Sequence, residues 1–194
     1  MQKTIQVNLT SLKELCEKCT ACELGKTRTN MVYERGNKHP DILFVGEAPG
    51  KNEDLQGEPF VGAAGKTLDA LLTRCGINPA NIYIANVLKC RPPNNRNPKV
   101  EEIAKCSKYL DAQIELLNPA IIVCLGAFAT SHIMDYDGPM YQIRGQLKKS
   151  KYGAYVMSTY HPAAAIYDKT KMPYIEEDLR VCAELASRLR HNRP

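Results

Sequence analysis

The stretch Ala120-Ile-Ile-Val-Cys-Leu-Gly126 is almost wholly apolar and stops at a glycine. A strand with apolar side chains on both faces is buried on both, which suits the middle of a parallel sheet. Working outward, Asp41-Ile-Leu-Phe-Val-Gly46, Ile82-Tyr-Ile-Ala-Asn-Val87 and Ala154 to Thr159 read as companion strands. Helical spacing of apolar residues marks Lys66 to Cys75, with Leu68, Leu71 and Leu72 on one face and Gly76 as its stop. It also marks Pro98 to Leu117, Ala127 to Met134 and Tyr174 to Leu189. A further helix is expected between Leu9 and Cys22, where Leu9, Leu12, Leu15 and Cys16 recur and Thr10 or Ser11 serves as N-cap. The alternation predicts an α/β fold of three layers, αβα, around an open, mainly parallel four-stranded sheet, with residues 1–194 forming one domain. In such sheets the site lies beyond the carboxyl ends of the strands, so chemistry is sought after Val45, Ala85, Leu125 and Thr159. Lys148 to Gly153 is the closest thing to a linker.

Bulk properties narrow the class. A chain of 194 residues buries roughly 70% of its unfolded surface, so its core does not need staples. The eight cysteines are about 4% of the residues, well under the roughly 8–10% of a disulfide scaffold. Met1 to Thr10 has only a scattered apolar pattern, unlike an export signal, and no apolar run approaches the ~20 residues of a membrane span. A membrane protein, a collagen and a disordered tail are excluded, and a cytoplasmic, intracellular protein is expected. The formal charge of +5, from 26 basic and 21 acidic side chains, is compatible with phosphate-bearing partners without requiring them. Trp is absent and Phe occurs three times, so a base-stacking platform has to come from Tyr or Phe.

Three constellations carry chemistry. Cys19-Thr-Ala-Cys22 can direct two sulfurs to one metal, and Cys90 and Cys106, around the proline-rich run Cys90 to Pro98 and the following helix turn, could close a four-thiolate site; the other reading of these cysteines is as small buried hydrophobes. Spacing leaves zinc and iron–sulfur both open, and Cys16 offers a competing pair with Cys19. The turn Gly46-Glu-Ala-Pro-Gly50 follows a strand and leads to Glu53, Asp54 and Phe60; it places Glu47 where α/β enzymes put an activating carboxylate. Beyond it, Gly65-Lys66-Thr67 ends like a phosphate-binding loop, but Phe60 occupies the first required glycine and no strand directly precedes it. After the last strand, Tyr160-His161-Pro162 sets a histidine where it suits donation to a developing anion, whereas His39, His132 and His191 lie in ordinary contexts. Asn86, near the end of the second strand, has the donors and acceptor that read a base edge.

Taken in order, Cys19-x-x-Cys22, Arg28-Thr-Asn, Gly46-Glu-Ala-Pro-Gly50, Glu58-Pro-Phe-Val-Gly62, Asn86-Val-Leu-Lys-Cys-Arg-Pro-Pro-Asn-Asn-Arg96, Cys106 and His161-Pro-Ala-Ala164 resemble the family 4 uracil-DNA glycosylases, the iron–sulfur type of thermophilic bacteria and archaea. The resemblance spans roughly residues 9 to 180. It implies a uracil-DNA glycosylase-like fold, hydrolysis of the N-glycosidic bond of deoxyuridine in single- or double-stranded DNA, and a [4Fe–4S] cluster on Cys19, Cys22, Cys90 and Cys106. It further implies that Phe60 stacks on the flipped uracil, Asn86 bonds its amide edge, and Glu53 fills the place of a thymine methyl. The Gly46 turn, with Ala48, adds backbone contacts, and His161 bonds uracil O2. Ala48 stands where better-known uracil glycosylase families have aspartate, which shifts the burden onto Glu47. The wedge that enters the base stack is expected among Ala165, Ile166 and Tyr167. Arg91 and Arg96 beside the cluster loop, with Lys148, Lys149 and Lys151, are expected on phosphates. The expected partner is uracil-containing DNA, bound by a monomer away from membranes; a sliding clamp is an allowed partner, but Arg188 to Pro194 shows no clamp-binding box. Two other readings stand beside this one: a non-catalytic iron–sulfur protein that binds nucleic acid or senses redox state, and a zinc-stabilised nucleotide-binding module.

Overall fold

Four strands organise the protein because their side chains meet water on neither face. The computed structural model describes residues 8–191; the stretches read above for an export signal and a clamp box lie partly outside them. In chain order the elements are α1 (Leu9–Glu17), α2 (Leu24–Thr27), β1 (Arg35–Gly36), β2 (Ile42–Gly46), α3 (Lys51–Gln56), α4 (Ala63–Arg74), β3 (Ile82–Asn86) and α5 (Val100–Leu117). There follow β4 (Ile121–Leu125), α6 (Ala127–Met134), α7 (Met140–Ile143), β5 (Lys148–Lys149), β6 (Tyr155–Thr159), α8 (Ala164–Tyr167) and α9 (Met172–His191).

The sheet order is β1-β3-β2-β4-β6-β5. The parallel core β3-β2-β4-β6 consists of the four strands expected from the sequence, in the register Ile42↔Ile82, Ile42↔Ile121 and Ile121↔Tyr155. The expected four-stranded sheet is corrected to six, because two-residue strands add antiparallel to both edges. One of these, β5, belongs to the Lys148–Gly153 stretch, which is therefore an edge hairpin and not a linker. Alternate residues face opposite layers. Phe44, Ile84, Val123 and Met157 pack with Leu68, Leu71 and Leu72 of α4 and Ile175, Leu179 and Cys182 of α9. Val45, Ala85, Cys124 and Val156 pack with Leu110 and Ile114 of α5 and Ala129 and Ile133 of α6.

Two local expectations change. The cap of α1 is Asn8, whose side chain accepts from the Thr10 and Ser11 amides at 3.0 Å while Ser11 answers the Asn8 amide; Thr10 and Ser11 are already inside the helix. Leu15, counted on the apolar stripe, is 60% exposed, and Leu12 and Cys16 are the residues of α1 that are buried.

The chain leaves β2 for β3 on one side and later returns to place β4 on the other. That reversal opens a crevice at the carboxyl ends of the strands, where the turn after Gly46, Asn86, Gly126 and His161 all converge.

Candidate active site and thiol cavity

Beyond those strand ends lies a cavity of about 360 Å³, walled by Glu47, Ala48, Gly50, Glu53, Phe60, Asn86, Arg96, His161, Ile166 and Tyr167. Ten residues picked out from the sequence thus meet in one place, joined by Pro92, Asn95 and Ala163 of the same motifs and by Ala63 and Ala64, which no sequence signal marked. Its size falls within the range of small-molecule sites.

Glu47 is aimed by main chain, since its carbonyl accepts from the Leu88 amide at 3.0 Å. Among the described residues nothing pairs with its carboxylate, and burial pushes its pKa up. Asn86 ends β3, 3% exposed. Among the described residues no protein group bonds its side-chain amide, which opens on the cavity.

Phe60 lines the same cavity with a left-handed backbone, φ 58°. That conformation costs a bulky residue on the order of 1–3 kcal/mol and persists only when its surroundings enforce it. The enforcement is visible. Arg35 Nη1 donates to the Phe60 carbonyl at 3.0 Å while its Nη2 holds Asp69 at 2.7 Å. A Cβ on Gly65 would stand 1.7 Å from the same oxygen, which explains the glycine of the phosphate-loop look-alike without any phosphate. The Phe60 ring lies 5.6 Å from the His161 ring, tilted by 31°.

Gly46 supports both walls. A Cβ there would lie 2.3 Å from Asn86 Oδ1 and 2.7 Å from Phe60 Cε2. Gly46→Ala is therefore expected to push the amide and the ring out of place and lower kcat/KM about 100-fold, with circular dichroism unchanged; wild-type turnover would show that neither wall needs its present position.

His161 is enclosed, and burial pushes its imidazole down to about 4 against the pull of Glu53. The Ala163 amide donates to Nδ1 at 3.2 Å, so the proton of the neutral ring sits on Nε2 as a donor. Gly126, at φ +88°, lets the ring approach: a Cβ would stand 3.0 Å from the His161 Cβ. His132, by contrast, is tied to Asp111 at 2.8 Å. Glu53 lies in α3, where Oε1 accepts from the Gly62 amide at 2.8 Å.

Ala165 is buried at 2% exposure and packs into the core, whereas Ile166 and Tyr167 are 43% and 90% exposed. Arg96 reaches the rim, but its guanidinium grips Glu102 at 2.9 and 2.6 Å. Arg91 bonds Asn95 at 2.8 Å and is not on the cavity wall. The lysine turn departs from expectation: Lys149 pairs opposite Tyr155, at the amino end of β6 and so away from the site.

A second, smaller cavity is lined by Cys16, Cys19, Cys22, Cys90 and Cys106 together with Arg28, Lys89 and Tyr109. Arg28 Nη1 donates to Cys90 Sγ at 3.2 Å and the Lys89 amide to Cys106 Sγ at 3.3 Å. Burial pushes Cys106 up to about 11 and Cys16 up to about 12. Against the cost of burial, the Tyr109 hydroxyl and Ala21 amide hold Cys19 low. No three His, Cys, Asp or Glu side chains among the described residues are gathered to hold one metal ion; the thiols face a shared space. Lys89, fully buried, spans from this cavity to the active site, donating through Nζ to the Asn86 carbonyl at 2.8 Å and to Gln113 at 2.6 Å.

The profile of the uracil DNA glycosylase superfamily matches residues 33–183. A type-4 uracil-DNA glycosylase of Archaeoglobus fulgidus is 45% identical over 88% of this chain and 89% of its own. Another, of Sulfurisphaera tokodaii, is 44% identical over 92% and 85%, and one of Thermotoga maritima 46% identical over 82% and 83%. Among the described residues no helix is long and apolar enough to cross a membrane. With matches of this extent and a crevice built from the ends of four parallel strands, the chain belongs to the type-4 uracil-DNA glycosylases of the uracil DNA glycosylase superfamily.

Proposed function

We propose that this chain removes uracil from DNA with Glu47 and His161 as its catalytic pair. As a uracil-DNA glycosylase it is a hydrolase acting on N-glycosyl bonds. The observation that carries the residue assignment is that one cavity is lined by a carboxylate with which no described residue pairs and by a neutral imidazole whose Nε2 carries the proton.

The target bond is inaccessible in stacked DNA, so the nucleotide is flipped into the cavity. Uracil lies against Phe60, its amide edge meets Asn86, and Glu53 takes the space a thymine methyl would need. As the bond from C1′ to N1 opens, its electron pair goes to the base and positive charge grows on the sugar. Glu47 opposes that charge and orients the attacking water, which adds to C1′ and releases its proton to solvent, while the departed uracilate takes one up from solvent. His161 Nε2–H bonds uracil O2 and stabilises the departing uracilate. Tyr167 and Ile166, exposed on the lip, fill the gap in the base stack. Gly46 and Ala48 serve through backbone, and Arg91 and Arg96 remain candidates for the phosphates, Arg96 only if Glu102 releases it.

Cys19, Cys22, Cys90 and Cys106 suit a [4Fe–4S] cluster: the cavity offers thiols and no carboxylate or imidazole, and amide and guanidinium donors reach two of the sulfurs. Thiols spread around a space, not about one point, are what a multi-metal group needs. When bound, the group acts as a structural tie.

The direct test is release of free uracil from a uracil-containing oligonucleotide by the protein as purified, with iron and sulfide counted alongside. Uracil release from a brown protein with about four iron atoms per chain is expected. A colourless zinc protein would overturn the cluster, and a brown protein releasing no uracil would favour the non-catalytic reading.

A further inference from the structure

The Arg28-Thr29-Asn30 stretch has no place in the base pocket, yet its three residues are engaged in two directions. Arg28 faces the thiols. Its Nη1 donates to Cys90 Sγ at 3.2 Å and to the Cys16 carbonyl at 3.4 Å, and its Nη2 donates to the Glu17 carbonyl. The next two residues face α3. The Thr29 amide donates to Asp54 Oδ1 at 2.9 Å and the Asn30 amide to the same oxygen at 3.4 Å. Asn30 Nδ2 donates to the carbonyls of Asp54 and Leu55 at 2.8 and 3.1 Å.

What these bonds hold is short of other anchors. The only buried side chain of α3 is Asp54 itself, and Leu55, its one large apolar residue, is 56% exposed. A six-residue helix without an apolar face has no packing to fix it. Its position is set by polar contacts, of which the Asp54 group is the largest. Glu53 is the neighbouring residue, and its carboxylate has to stay between Gly50 and Gly62.

We infer that Arg28, Thr29, Asn30 and Asp54 are positioning residues for Glu53, forming a clasp by which the thiol cavity governs how well the pocket excludes thymine. The inference rests on the reading of Glu53 as the residue that takes the methyl's place. Arg28 fixes the stretch at the thiol end, Thr29 and Asn30 transmit that fix to Asp54, and Asp54 sets the azimuth of α3.

The test uses the iron-loaded enzyme. In Asp54→Ala, amide hydrogen exchange at residues 51–57 is expected to quicken about tenfold, and the ratio of uracil to thymine excision opposite guanine to fall about tenfold. Iron content should not change. Asp54→Asn keeps an acceptor oxygen and is expected to restore both readouts, which a general loss of stability would not allow. Arg28→Met should move both in the same direction and ease removal of iron by a chelator, and the double variant should be no worse than Asp54→Ala, because the two act in one chain of contacts. Wild-type exchange and discrimination in Asp54→Ala would overturn the clasp. Glu53→Ala, run in parallel, separates the two ideas: if it keeps wild-type discrimination while exchange in Asp54→Ala still quickens, the reading of Glu53 has failed and the specificity claim falls with it.

Discussion

Glu47→Gln is expected to slow uracil release about 10²–10⁴-fold in single turnover while leaving affinity for uracil-containing DNA nearly unchanged. Glutamine keeps the size of the side chain and the main-chain geometry that aims it, including the bond from the Leu88 amide to the residue 47 carbonyl. It removes only the negative charge. In an enclosed site that charge acts at low effective dielectric on a sugar that becomes cationic, where it is worth far more than in water. The acid side of the pH–rate profile supplies a second readout. Burial holds the Glu47 carboxyl above the ordinary carboxylate range, and the ionised form is the one required. Activity therefore falls as the pH drops through that raised value, and this limb should vanish in Glu47→Gln. A variant with wild-type rate would move the role to another group.

His161→Ala is expected to cost about 10²–10³-fold in the rate of the chemical step, the usual loss for one donor to a developing anion. The imidazole titrates at about 4, so the wild-type rate should show no limb from this residue near neutrality. Stability behaves otherwise. The unfolded chain takes up the histidine proton near 6.5 and the folded one only near 4. Between those values the unfolded state binds more protons, so the contribution of neutral His161 is whole above about 6.5 and is lost as the pH falls toward about 4. Urea denaturation at pH 7 and pH 5 should show a smaller acid loss in His161→Ala than in the wild type. Equal losses would place the acid sensitivity elsewhere.

The parallel core was legible because burial on two faces leaves a continuous apolar run, as in Ile121–Leu125. The edge strands Arg35–Gly36 and Lys148–Lys149 left no such trace, since two residues have no periodicity. Helix α3 was missed for a related reason: Lys51–Gln56 lacks an apolar stripe. At the site, Glu47, Asn86 and His161 were legible because the ends of parallel strands converge wherever such a sheet forms. The supports of Phe60 were not. Arg35 and Gly65 act on it from β1 and α4, through a backbone bond and a close approach, and neither contact has a sequence pattern. Ala165 turned inward because the short helix α8 presents it to the core, leaving Ile166 and Tyr167 outside.

The thiol cavity joins distant parts of the chain outside the two principal cores. Cys22 and Cys90 are separated by roughly seventy residues, a loop whose closure opposes early contact, and Cys106 arrives only with α5. None of the four belongs to either principal core; they pack in small satellite clusters with Leu12, Tyr33, Leu24 and Leu88. In the folded chain the sheet with its flanking helices is the frame that holds the late thiols beside the early ones. The cluster proposed for these thiols would tie segments that share no apolar core with the central sheet.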